Sequence, residues 1–282
     1  MRGNRRGSLA ILLALATAGC PANVEQNAEK SSKWLDIAKD SLKKRQLEAA
    51  ENESNKAISF NTQNDEAYVI RGLISIIRAY ELQRTLEIDS CLTGVDAEAT
   101  HKDFDATLEK ADKDFAQAVK VSPDYGEAWS NRGLVHNLLE DYATATTYLT
   151  KALEFPFRVS DPALTRANLA WSFFHQQKYV EAAKDLRTVL QFKPNLCVAT
   201  YRLGRVYFAR EEWEKAAESF QLASDDPKCG SQEASLYLMK TRMQQGLVDD
   251  ARRARDACLK ISPQSCIASQ CRADGGALGQ TP

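Results

Sequence analysis

Few residues in this chain are of a kind that does covalent or metal chemistry. There are three histidines, His101, His136 and His175, and seven cysteines. No two histidines stand at metal-ligand spacing, and neither an H-E-x-x-H pair nor a phosphate-cradling P-loop occurs. A G-x-S-x-G nucleophile elbow is also missing. The acidic pairs Glu211-Glu212 and Asp249-Asp250 read as solvated residues in turns between helices. With no nucleophile beside a base, the sequence predicts no catalytic residue, no cofactor, no metal site and no enzyme. The cysteines Cys91, Cys197, Cys229, Cys258, Cys266 and Cys271 are even in number, which in an exported chain suggests disulfides. Zinc is the weaker reading, because Cys266-x4-Cys271 has neither a C-x2-C partner nor a nearby histidine.

Cys20 stands apart. Before it come a basic stretch with Arg2, Arg5 and Arg6, an apolar run LAILLALA over 9–16, and the small residues Ala18-Gly19. This is the order of a secretory signal, and the run is too short to cross a bilayer. The Ala-Gly-Cys junction resembles a bacterial lipobox, although Thr17 stands where leucine is most usual. The resemblance implies cleavage before Cys20 and a lipid on its thiol, which anchors the chain without spanning the membrane. An ordinary secretory signal with an incidental cysteine is the competing reading. Residues 1–19 are then a signal peptide and 20–30 a polar lipidated tether. Pro21, where aspartate would retain a lipoprotein at the inner membrane, favours the periplasmic face of the outer membrane. Losing three arginines moves the formal net charge from −1 to about −4, so nothing draws the chain to anionic lipid or to nucleic acid.

These residues need a scaffold, and composition narrows it. Only 13 glycines and 8 prolines occur, with 44% hydrophobic and 27% charged residues, which fits a folded helical protein and excludes collagen, low complexity and multi-span membrane folds. A period of 34 residues organises the chain. In the segment EAWSNRGLVHNLLEDYATATTYLTKAL from Glu127, Trp129, Gly133, Tyr142, Ala145, Leu149 and Ala152 hold the key positions of a tetratricopeptide repeat. Small residues let two antiparallel helices approach, and large ones fill the space between. Copies fall near 31–64, 65–125, 126–159, 163–196, 197–230 and 232–265. The second is expanded by 27 residues, its first helix continuing to about Asp89, a loop holding Cys91 and Gly94, and its second helix starting near Ala97. The expectation is an all-α superhelical solenoid over 31–265 in which each repeat contacts its neighbours, then a C-terminal cap and disordered tail over 266–282.

The repeat frame places the remaining candidates. Cys197 and Cys229 fall at adjacent inter-repeat turns, predicting a bridge between them, and a second bridge is expected among Cys258, Cys266 and Cys271. The inner positions of each first helix give Val69, Leu73 and Ile76, then Leu134 and Leu138, then Leu164, Trp171 and Phe174, then Tyr201, Arg205 and Phe208. A concave face so lined suits an apolar or amphipathic peptide. It lacks the Lys/Asn carboxylate clamp of chaperone-binding repeats, since Ser130 and Leu134 stand at the relevant positions.

A lipobox followed by six such repeats resembles the type IV pilus pilotins, outer-membrane lipoproteins of the PilF/Tgl kind. The segments YGEAWSNRGLVHNLLEDYATATTYLTKALEF and DPALTRANLAWSFFHQQKYVEAAKDL carry the resemblance. It implies delivery of secretin subunits to the outer membrane and promotion of their assembly into the pilus pore. The expanded second repeat departs from that pattern. The alternative is a structural envelope scaffold that organises peptidoglycan enzymes or outer-membrane protein assembly.

Overall fold

The computed structural model describes residues 21–86, 95–229 and 231–278. Among them the chain is helical and holds no strand, as the period predicts. Six antiparallel pairs follow in order: α1 (Pro21–Lys43) with α2 (Leu47–Phe60), α3 (Asp65–Arg84) with α4 (Val95–Val121), α5 (Gly126–Leu138) with α6 (Tyr142–Glu154), α7 (Pro162–His175) with α8 (Tyr179–Phe192), α9 (Cys197–Ala209) with α10 (Trp213–Asp225), and α11 (Gln232–Gln244) with α12 (Val248–Ile261). A short α13 (Cys266–Asp274) and a 3-10 turn at Gly275–Leu278 cap the array. Each helix packs on its sequence neighbours, and the first helices of successive repeats also touch one another, forming the inner layer.

The close contacts follow the small residues. A Cβ added to Gly133 would lie 2.3 Å from Leu149 Cγ, and one on Gly204 would lie 2.6 Å from the Phe220 ring. Phe115, Leu149, Leu186 and Phe220 fill the spaces between paired helices and are fully buried. Polar side chains fix the register where repeats meet. Asn137 donates to the Asn168 carbonyl at 2.9 Å and accepts from the Ser172 hydroxyl at 2.7 Å, a buried network joining α5 to α7.

Among the described residues, the turns inside five repeats share one device. Arg45, Glu140, Gln177, Glu211 and Gly246 all adopt φ between 58° and 73°. Each occupies the fifteenth position of its repeat, and each begins a Schellman closure, for example Gln177 N–H to Phe174 C=O and Lys178 N–H to Phe173 C=O. Only one of the five is glycine, so the sequence concealed the motif.

Three boundaries differ from expectation. The stretch 21–30, expected as a polar tether, is helical and continuous with α1, with residues 23–30 exposed. Asp249 and Asp250 lie in the first turn of α12 rather than in the preceding turn, where acids favour the positive helix end. The cap, expected to be short, extends through α13 to the 3-10 turn ending at Leu278. The predicted signal peptide, Cys20, and the loop with Cys91 and Gly94 lie outside the described residues. No helix among the described residues is long and apolar enough to cross a membrane.

Candidate partner-binding groove

The expansion of the second repeat decides the shape of the inner face. The far end of α3 and the start of α4 meet the α5–α6 turn and α7 around a cavity of 470 Å³. Gln83, Leu86, His101 and Phe104 form its insertion side, and Leu138, Tyr142, Trp171 and His175 its repeat side. Leu86 reaches across to the cap: its carbonyl oxygen lies 3.5 Å from Cys266 Sγ, a contact between residues 180 positions apart.

The sequence-derived groove residues fall into separate groups. Trp171 and Phe174 stack at 4.9 Å, and Phe208 meets Tyr237 edge-on at 5.4 Å. Tyr201 lies 6.4 Å from the same Tyr237. Arg205 lies against both groups, so all four predicted aromatics share one half-buried cluster. Leu138 enters the cavity beside Trp171. Leu134 packs against the core of repeats 2 and 3. Val69 and Ile76, at 3% and 4% exposure, belong to that core and offer a partner almost no surface. They are covered by the ordinary part of α4 and by α5, and Val69 also borders Tyr125 and Val159. Leu73 is half-buried and lines a second cavity of 520 Å³ with Tyr125, Val159 and the fully exposed Phe157. Leu164 is exposed in the first turn of α7.

Two arginines enter this aromatic cluster. The Arg205 guanidinium lies 4.1 Å from the Tyr237 ring, 5.4 Å from Phe174 and 5.6 Å from Trp171. Arg202 lies 5.2 Å from Trp171 and donates to the Ala167 carbonyl and to Asn168 Oδ1. Burial lowers its pKa to about 10. Burial also depresses His175, and the positive charge of Arg205 and Arg202 adds to this, so its pKa is about 4 and its ring is neutral at physiological pH. That neutral ring stacks on Tyr142 at 4.1 Å.

His136 behaves in the opposite way. The Asp112 carboxylate, 3.6 Å from its Nε2, raises its pKa, and Asp141 at 3.2 Å from Nδ1 adds to the effect. For Asp112 itself burial disfavours the charge, but His136 and Arg132 outweigh it and hold the carboxyl at about 2. This cluster ties the second repeat to the third and is a structural ion pair. Among the described residues the one cluster with metal-ligand geometry is Cys197, Cys229 and Asp226. Its two sulfurs are already joined to each other.

The disulfides follow the predicted turns. Cys197 pairs with Cys229, and Cys258 of α12 pairs with Cys271 of the cap. Arg202, Tyr237 and the insertion residues of the cavity were not found from sequence. Arg202 and Tyr237 occupy the sixth position of their repeats, one place beside the inner positions, and the insertion residues have no counterpart in the period.

A tetratricopeptide-repeat family profile matches residues 108–158. No curated protein sequence matches. Among solved structures, PilW, described as a widely conserved type IV pilus biogenesis factor, superposes with a TM-score of 0.67 at 18% identity, over 85% of this chain and 96% of that one. The Pseudomonas aeruginosa pilF protein gives 0.63 at 14% identity, over 88% and 99%. The Cut9–Hcn1 assembly of the APC/C gives 0.69 at 13% identity, over 90% of this chain but only 44% of that one. The chain is an all-helical tetratricopeptide solenoid.

Proposed function

We propose that the chain is a lipid-anchored pilotin that captures secretin subunits in its concave groove and promotes their assembly in the outer membrane for type IV pili. The observation that carries this reading is the two-way coverage with PilW and PilF: the chain is similar to each over nearly the whole of that chain, whereas it spans under half of the matched chain in the Cut9–Hcn1 assembly. The aromatic groove supports it, because half-buried aromatic surface beside a cavity suits an amphipathic segment. A lipid on Cys20 would hold the solenoid at the inner leaflet and raise the local concentration of its partner there. The role is that of a non-catalytic adaptor.

In-cell crosslinking followed by purification from membranes tests the reading. The secretin should be the dominant partner, and its multimers should diminish when the gene is deleted. Recovery of cell-wall synthases or outer-membrane assembly proteins, with secretin multimers unchanged in the deletion strain, would replace it with the scaffold reading. Cys20→Ala should leave the outer-membrane fraction, and normal fractionation would refute the anchor.

A further inference from the structure

Most buried or half-buried arginines here have a carboxylate. Arg71 pairs with Asp114, Arg132 with Asp112, and Arg166 with Asp185. Arg202 and Arg205 form no ion pair among the described residues. The hydrogen bond described for Arg205 is one from its guanidinium to the Tyr201 hydroxyl at 2.9 Å, and those for Arg202 both leave a single nitrogen. Glu233, exposed in the first turn of α11, pairs with neither. Half-buried cations without a counter-charge are costly, and each guanidinium has five donors. Rings from Trp171, Phe174, Tyr201 and Tyr237 surround Arg205 and displace water, which strengthens any charge attraction there.

We infer that the Arg202–Arg205 pair is a receptor for a side-chain carboxylate, and that the groove therefore selects a partner segment in which an aspartate or glutamate is flanked by apolar or aromatic residues. This rests on the groove being the partner site and adds the chemistry of what it takes. A planar guanidinium matches a carboxylate with two parallel hydrogen bonds, while the flanking rings accept the apolar neighbours. The site differs from the Lys/Asn clamp in residue type and position, and it reads a side chain rather than a chain terminus.

The test uses an end-blocked, fluorescein-labelled peptide with a Leu-Phe-Glu-Leu-Phe core and its counterpart with glutamine at the centre, titrated against the folded chain by anisotropy. The glutamate peptide should bind roughly tenfold more tightly, and the preference should fall as salt rises. Arg205→Gln should abolish the preference, and Arg205→Lys should restore part of it. Circular dichroism establishes that both variants keep the wild-type melting behaviour; Arg202, which ties α9 to α7, is left intact for that reason. Equal affinity for the two peptides, a preference that survives Arg205→Gln, or binding of neither peptide overturns the carboxylate receptor. Trp171→Ala with Phe174→Ala separates the two levels. If equal binding is lost in that double variant, the groove stands without the carboxylate; if it persists, the groove reading fails as well.

Discussion

At the scale of residues, the groove is a place where charge and rings are arranged against each other. His175 is neutral because burial and two arginines oppose its protonation. Its folded pKa of about 4 lies below the ordinary 6.5, so between these values the unfolded chain binds a proton that the folded chain refuses. Stability must therefore fall as pH drops through that window. His175→Phe keeps the stacking on Tyr142 and removes the proton, so its melting temperature should fall less than wild type between pH 6.5 and 4.5; an equal fall would contradict the assignment. Asp112 works on the more acid side: its contribution is complete above the ordinary 3.8 and is lost as pH falls through about 2. Individual side chains were legible in the sequence only where the repeat frame names them. Trp171, Phe174, Tyr201 and Phe208 were found this way, and all four lie in one cluster. Val69 and Ile76 were named by the same rule and are buried, because their side chains pack into the core that α3 shares with α4 and α5.

At the scale of elements, two features set how the helices meet. The glycines at the close contacts leave no room for a methyl group. Gly133→Ala and Gly204→Ala should each destabilise by about 1–3 kcal/mol through forced displacement of Leu149 or Phe220, measured by urea denaturation. The left-handed residue in five of the intra-repeat turns acts in the other direction. Gln177→Gly, at φ 60°, should stabilise by about 0.5–1 kcal/mol, since relief of the left-handed strain exceeds the added freedom of the unfolded chain. A destabilised variant would contradict the strain account. The 34-residue period made the helices and their pairing readable, because close packing demands the same small and large residues in every copy. The insertion was readable as a longer first helix, a loop and an early second helix, but its contacts were not. Nothing in its composition says that α3 would run to the cap, since that contact joins residues remote in sequence.

At the scale of the molecule, a solenoid is stabilised mainly between neighbours, so its ends are vulnerable. Among the described residues the bridges Cys197–Cys229 and Cys258–Cys271 lie in the C-terminal third and close loops spanning 32 and 13 positions. Each should contribute about 3–4 kcal/mol. Reduction should therefore unmask a lower-melting C-terminal segment in calorimetry while the repeats nearer the N-terminus melt as before; a uniform shift of one transition would argue for full cooperativity instead. The central claim is that the aromatic groove captures the secretin. The most direct measurement is a pull-down of purified secretin monomer by the folded chain and by the Trp171→Ala, Phe174→Ala double variant. Capture should be lost while the helical circular dichroism spectrum and melting temperature stay close to wild type, and unchanged secretin recovery by the folded double variant would contradict the claim.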